Sequence, residues 1–324
     1  MGAIPDMEYV TLGRTGLRAS VAGLGCGGFS RLGLGKGGTE ANAIAVVHAA
    51  LDAGVNFLDT AAAYGTEEVV GKALQARDRD AVIVSTKAST VRDGEVVSAA
   101  GVVESLDASL RRLRTDHVEI FHLHAVQPQD LDRMLGEVVP ALEREQASGK
   151  IRHLGITERA PKDPGHEMLP RAIASGHFDV VMVAFHMLHQ GARAKVFARS
   201  MPAGVATLVM FAVRLLFSEP ERLTRTLAEL AAEGRIDAGT AGAADPLGFL
   251  VNEGGARDVI DAAYRYCRHE PGADVILFGT GDVGHLRTNV ASILAPPLAP
   301  GAVDRVGRLF GALEGVGLDA PGRG

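Results

Sequence analysis

Residues 56–87 read NFLDTAAAYGTEEVVGKALQARDRDAVIVSTK. Asn56 to Asp59 is a short apolar segment that ends in a charge. Glu67 to Arg77 carries a helical pattern. Ala81-Val82-Ile83-Val84-Ser85 is a continuous apolar run, as a strand covered on both faces requires, and it stops at the polar pair Thr86-Lys87. Strand, helix and strand in so short a span make one parallel crossover unit.

The same alternation continues in both directions. Upstream, Tyr9 to Val21 predicts a small β-hairpin about Gly13-Arg14-Thr15-Gly16, and Val21 to Leu24 predicts a strand. A Gly-rich stretch from Gly25 to Gly38 leads to a helix over Thr39 to Ala53, with Thr39 as its N-cap. Downstream, strands are predicted over Val118 to His124, Arg152 to Thr157, Val180 to Phe185, Val205 to Met210 and Asp274 to Phe278. Helices are predicted over Gly101 to Leu113, Leu131 to Ser148, Leu169 to Ser175, Pro220 to Glu233 and Ala256 to Arg268.

An open doubly wound sheet and a closed barrel share this pattern. Three features favour the barrel. The strand number is near eight, and polar residues recur at the C-terminal strand ends (Asp59, Lys87, His124, Thr157). No dinucleotide fingerprint follows the first strand: Gly23-Leu24-Gly25-Cys26-Gly27-Gly28 begins like one, but no good helix starts there. The expected fold is therefore α/β, a (β/α)8 TIM barrel with an N-terminal β-hairpin. One domain spans 1–324, with a C-terminal tail (296–324) rich in Pro and Gly and weakly ordered apart from a short helix near Val303 to Leu313.

Composition narrows the function. The chain has 324 residues, 47% apolar, with a net charge of −6, and it lacks a dense Lys/Arg block, so nucleic acid and anionic membranes are not expected partners. The longest apolar run, Pro202 to Phe217, is interrupted by Arg214, and no signal peptide is visible. Two cysteines, Cys26 and Cys267, fit a reducing compartment. A soluble cytoplasmic protein is expected.

Four residues carry chemistry if they meet at one mouth: Asp59, Tyr64, Lys87 and His124. Singly, each has a structural reading. Asp59 could cap a helix, Tyr64 could pack, Lys87 could reach to water, and His124 could be a satisfied histidine. Together they form a proton-transfer set for a carbonyl. A phenol with an ordinary pKa of about 10 can act as general acid, and Lys87 nearby should lower that value. Asp59 balances Lys87, and His124 hydrogen-bonds the substrate oxygen.

These residues and their surroundings resemble the aldo-keto reductase superfamily. The resemblance rests on Leu12-Gly13-Arg14-Thr15-Gly16-Leu17, the run Asp52 to Thr60, Tyr64-Gly65-Thr66-Glu67 and Ser85-Thr86-Lys87. It continues through Ser109 to Leu113, Phe121 to His124, Gly149 to Ile156, and Ile276 to Gly281 with Leu286 and Asn289. It is collinear over roughly residues 8 to 295. It implies a barrel binding NADP(H) or NAD(H), the tetrad Asp59, Tyr64, Lys87 and His124, and a small-molecule carbonyl or alcohol substrate. It also implies cofactor contacts at Gly25, Cys26, Gly27, Thr157, Glu158, Met210, Gly279, Thr280, Gly281, His285 and Asn289.

The sequence departs from the family pattern at the nicotinamide. Thr157-Glu158 stands where Ser-Asn is usual, Met182 where Gln is usual, and Met210 where an aromatic is usual. Glu158 cannot copy both hydrogen-bonding ends of an amide. Asp282 near the adenosine phosphate leans toward NAD, while Arg287 or His285 could serve NADP. Gly35-Lys36-Gly37-Gly38 lacks phosphate-loop spacing and reads as a mobile entrance loop; the entrance segment Phe29 to Gly38, the loop Ala125 to Asp130 and the stretch Arg235 to Gly255 are the substrate-facing segments. Two other functions compete: a non-catalytic nucleotide-binding barrel, and a metal-dependent hydrolase using His122 and His124, which share one strand face. No metal site is expected. Oligomeric state is not readable.

Overall fold

Each apolar run becomes a strand whose side chains alternate between the barrel interior and the helical shell. The computed structural model describes residues 5–92, 94–243 and 245–319. Strands β1 (Tyr9–Thr11) and β2 (Arg18–Ser20) form an antiparallel hairpin. Then follow β3 (Ala22–Gly25), β4 (Phe57–Asp59), β5 (Ile83–Ser89), a small hairpin β6 (Val91–Arg92) and β7 (Glu95–Val96), β8 (Val118–Val126), β9 (Ile151–Glu158), β10 (Val180–Ala184), β11 (Ala206–Met210) and β12 (Val275–Phe278). Eight of these close a parallel barrel in the order β3-β4-β5-β8-β9-β10-β11-β12, sealed by β12 against β3 through Ile276↔Ala22.

The two faces of the strands separate into two cores. Phe57, Ile83, Ile120, Val180, Leu208 and Val275 point inward and meet Leu12 and Ala19 of the hairpin, which plugs one end. Leu58, Val84, Phe121, Ile156, Val183 and Ile276 point outward into the helical layer. Burying a side chain of this size stabilises by about 1.5–3 kcal/mol, which is why both faces are apolar and the runs are continuous. The hairpin is seated by a close approach: a Cβ on Gly13 (φ +45°) would lie 2.2 Å from the Gly204 carbonyl oxygen, so only glycine fits.

Helices follow the predicted positions. Thr39 caps Glu40–Asp52 by accepting from the Asn42 amide. Two longer helical stretches escaped the sequence reading, residues 193–203 and Val283–Ile293, as did the short turns Leu215–Ser218, Ala238–Ala241 and Phe249–Asn252. The first is short and contains Pro202; the second opens on Asp282, whose carboxylate caps it by accepting from the His285 amide. Two further expectations change. The Gly-rich entrance segment is docked rather than free: Leu32 is fully buried, and a Cβ on Gly281 would lie 2.3 Å from the Gly33 Cα. The C-terminal tail is packed too. Its helix is Pro300–Phe310, and Leu313, Val316 and Leu318 beyond it are buried; residues 320–324 lie outside the described residues. Among the described residues no helix is long and apolar enough to cross a membrane.

Candidate active site

Strand register builds the site. Asp59 ends β4 opposite Ser85 of β5, and Lys87 lies one pleat further along the same inward face. The Lys87 ammonium is fully buried, with Nζ 2.8 Å and 2.7 Å from the two Asp59 carboxylate oxygens and 2.8 Å from the Thr60 carbonyl oxygen. Ser85 Oγ donates to Asp59 Oδ1 at 2.9 Å. Tyr64 comes from a short turn, Ala62–Tyr64, that ends on Gly65 in the left-handed region. Its ring centroid is 5.0 Å from Lys87 Nζ, and it meets the His124 ring edge-on at 5.7 Å. Gly27 makes room for it, since a Cβ there would lie 2.5 Å from the phenol ring.

His124 is aimed by an irregularity. The β8–β9 register shifts between Leu123 and Val126, and Ala125 adopts φ +58°. Thr157 Oγ1 accepts the Ala125 amide at 2.7 Å and so pins the bulge. His122, one pleat below, is sealed inside the barrel with neither ring nitrogen partnered among the described residues. Gly155 accommodates it: a Cβ there would lie 2.3 Å from His122 Nδ1.

The electrostatics differ from expectation in one respect. Burial pushes the Tyr64 phenol up, and the opposing pull of the Lys87 ammonium does not cancel it. The phenol is therefore held protonated. Burial alone would lower Lys87, but the Asp59 carboxylate outweighs that and keeps it an ammonium. Burial, then the Lys87 charge, pushes His124 down to about 3, so its imidazole is neutral at ordinary pH. A neutral ring can donate or accept a hydrogen bond.

Two connected cavities lie at this end. A tight cleft of about 280 Å³ is lined by Gly25, Gly27, Asp59, Tyr64, Met182 and Met210. A wider groove of about 690 Å³ is lined by Gly279, Thr280, Gly281, Asp282, His285 and Asn289. Phe29, Ser30, Lys36, Val213, Arg214 and Gly279 border both. A long ligand with a flat ring at one end and charged groups in its middle fits this shape, as a nicotinamide dinucleotide has. The glycine walls permit close approach, and Arg214 in the middle carries nitrogens with no hydrogen-bond partner among the described residues.

Of three predicted cofactor residues that do not line the cavities, two point elsewhere and Thr157 is engaged by the backbone. Glu158 turns outward, away from the cleft: one oxygen accepts the Ala184 amide at 2.8 Å and the other pairs with His166 Nδ1 at 2.8 Å. Gly155 faces the interior beside His122, and Glu158 at the end of β9 is held on the other face by these bonds. Thr157 spends its acceptor on Ala125. Cys26 is fully buried, its thiol directed at the Leu24 carbonyl 3.6 Å away. Arg287 lines a separate surface depression with Asp52 and Gly54, leaving His285 in the groove. Among the described residues no three His, Cys, Asp or Glu side chains gather in a metal-binding arrangement, so the His122–His124 pair acquires no third ligand.

The substrate-facing entrance segment included Phe29, which lines both cavities, but sequence reading missed Phe211 and Arg214. Phe211, next to Met210, has φ +72° and lines the cleft. Its neighbour's lack of an aromatic was visible, but the backbone twist that turns Phe211 inward was not. Arg214 was visible as the one charge in the longest apolar run.

Known proteins share the sequence pattern and the fold. The model of the "Aldo/keto reductase family" matches residues 23–309. The chain is 38% identical to L-galactose dehydrogenase of Arabidopsis thaliana over 186 residues, 56% of this chain and 57% of that protein. It is 30% identical to D-threo-aldose 1-dehydrogenase of Pseudomonas sp over 235 residues, 63% of this chain and 70% of that protein. The matches thus span little more than half to about two-thirds of these relatives' length. Among solved structures, aldo-keto reductase AKR11C1 from Bacillus halodurans (holo form) superposes with a TM-score of 0.72 at 23% identity, covering 97% of this chain and all of that one. With a family match across most of its length and the barrel to go with it, this chain belongs to the aldo/keto reductase family.

Proposed function

We propose that this protein interconverts a small-molecule carbonyl and its alcohol with NADP(H) or NAD(H), Tyr64 acting as general acid in reduction and general base in oxidation. The observation that carries the reading is a protonated, burial-raised phenol 5.0 Å (ring centroid) from an ammonium that is itself locked to Asp59 at 2.7 Å. The bound dinucleotide supplies the hydride. Tyr64 delivers its proton to the carbonyl oxygen as negative charge develops there. Lys87 stabilises the phenolate left behind, and Asp59 holds Lys87 in place and offsets its charge. Neutral His124 orients the oxygen. The relatives named for L-galactose and D-threo-aldose favour a sugar or polyol as substrate class. Two buried free thiols and a net charge of −6 fit a cytoplasmic protein without nucleic-acid partners.

Tyr64→Phe tests this. Dinucleotide oxidation with an aromatic aldehyde or aldose, followed by absorbance, should fall by roughly 10²–10⁴-fold, the usual contribution of a positioned acid. Dinucleotide affinity should stay within about twofold. Retained turnover refutes the assignment of Tyr64. One observation favours a non-catalytic binding barrel: Glu158 is committed to His166 and Ala184 and offers the cleft no amide. That reading predicts dinucleotide binding without turnover in the unaltered protein.

A further inference from the structure

The chain does not leave the barrel after its last helix. Leu313, Val316 and Leu318 are buried, and Leu318 packs with Ala160 and Ala184 in a cluster against which Met210 and Phe211 rest. Met210 and Phe211 line the cleft that holds Tyr64, so the segment Leu313 to Asp319 is a strap behind the cleft wall. Phe211 needs that support. Its backbone is left-handed, φ +72°, a conformation that a bulky side chain keeps only where its surroundings enforce it.

Polar contacts pin the strap. Three are partly exposed and so hold weakly: Glu314 on Lys195 at 3.1 Å, the Glu314 carbonyl on Arg235 at 2.8 Å, and Asp319 on Arg222. A further pin is set deeper. His189, closed off from solvent, accepts the Gly315 amide on Nδ1 at 3.2 Å. That bond requires a bare Nδ1. A protonated imidazole donates from both nitrogens, so it would set one N–H against another.

The neighbours of His189 oppose its charge as well. The His166 ring lies 4.8 Å away and the His186 ring 5.9 Å, and Lys195 adds a positive charge. Both nearby carboxylates are engaged, Glu158 with His166 and Glu314 with Lys195. His186 in turn faces Arg214 and the Val316 backbone. Burial, then His166 and Lys195, hold the His189 ring down to about 3, against about 6.5 for a ring freed into water. Between the two values an open strap binds a proton that the closed one refuses, so falling pH favours opening.

We propose that His189 is an acid-sensitive latch on this strap. With its ring neutral, it holds Leu313 to Asp319 closed behind Phe211; protonated, it releases the strap and with it the support of the cleft wall.

Hydrogen exchange of the whole protein, read peptide by peptide and corrected for the intrinsic pH dependence of exchange, tests this without ligand or turnover. Between pH 5.5 and 4, protection of residues 313–319 should fall about tenfold per pH unit, for one proton taken up on opening. The fall reaches about a hundredfold per unit if His186, which lies against Gly317, is freed together with His189. Residues 210–213 should follow the strap, while β4 keeps its protection. His189→Gln retains an acceptor for the Gly315 amide but does not titrate, so it should remove about one factor of ten per pH unit. Wild-type protection that is flat over this range overturns the proposal, as does a fall shared by β4, which marks global unfolding. So does His189→Gln with the wild-type slope, or a strap that opens while 210–213 stay unchanged. If the Gln variant does not fold, the wild-type comparison of strap, cleft wall and β4 decides alone. Under the oxidoreductase reading above, saturating NADPH at pH 5 should slow exchange of the strap and of 210–213 together. Its failure to do so, with the pH slope intact, counts against the dinucleotide reading and leaves the latch standing.

Discussion

Lys87→Met removes an ammonium that is wholly buried and bonded to both Asp59 oxygens and the Thr60 carbonyl. Met fills nearly the same volume, so cavity formation is small. What remains is the Asp59 carboxylate, 3% exposed, with Ser85 as its one side-chain donor. Breaking a buried pair from one side costs about 3–5 kcal/mol, because the surviving charge stays desolvated. With a urea slope of about 3 kcal/mol/M, reasonable for a chain of this size, the midpoint should drop by about 1–1.7 M. The defect should depend on pH. Burial already pushes the Asp59 carboxyl up, and Lys87 opposes it. Without Lys87 its folded pKa rises further above the unfolded value of about 3.9, so the folded state binds the proton more tightly. That contribution is full below pH 4 and is lost as pH rises through the new folded pKa. Lys87→Met should therefore be closest to wild type in acid and weakest at pH 8. The double variant Asp59→Asn/Lys87→Met should regain part of the stability at pH 8 without regaining turnover. Equal urea midpoints for Lys87→Met and wild type at pH 8, or a double variant no better than the single, would refute the buried-pair argument.

Gly27→Ala places a Cβ 2.5 Å from the Tyr64 ring; displacement of the phenol should lower kcat by at least about tenfold with the melting temperature nearly kept, as absorbance assays and calorimetry would show. Glu158→Gln should destabilise by about 1–3 kcal/mol in urea, since it weakens the bonds to His166 and the Ala184 amide, and should leave dinucleotide affinity within about twofold; a large affinity loss would return Glu158 to the cofactor site. His186 and His189 are pushed down to about 3 mainly by burial, below their unfolded value near 6.5. Their neutral-state stability is complete above pH 6.5 and is lost as pH falls toward 3, up to about 5 kcal/mol between pH 6.5 and 4.5 for the pair. Urea midpoints at those two pH values measure it, and His189→Gln should shrink the difference.

The barrel was legible because its strands are covered on both faces: Val82 to Val84 and Val180 to Phe185 are apolar for reasons of burial that sequence states directly. The tetrad was legible for a related reason. A charge that ends a buried run, as Asp59 and Lys87 do, must find a partner at the strand end, and parallel register leaves few choices. What stayed hidden depends on backbone geometry that no pattern of two or 3.6 residues encodes. The bulge at Ala125 redirects Thr157, the outward pleat of β9 removes Glu158, and the left-handed Phe211 puts an aromatic into the cleft one residue after Met210. The packing of Leu313, Val316 and Leu318 was equally opaque, since a Pro- and Gly-rich tail shows no period to read.

The unpartnered buried nitrogens separate structure from function in this molecule. His186 and His189 accept backbone amides, from Leu188 and Gly315, at Nδ1, which fixes the proton on Nε2 and leaves each ring one unused donor behind the barrel. His166 gives its Nδ1 proton to Glu158, so its own Nε2 is an acceptor in the same cluster. Donors and acceptor there are matched in sign, and burial holds the His186 and His189 rings neutral. Arg214 has no such remedy, because a guanidinium cannot shed its proton in the working pH range even with burial lowering it to about 10. A neutral cluster can be tolerated as part of the core, whereas a permanent buried charge keeps a desolvation cost that the faces of Phe29 and Phe211 offset only in part.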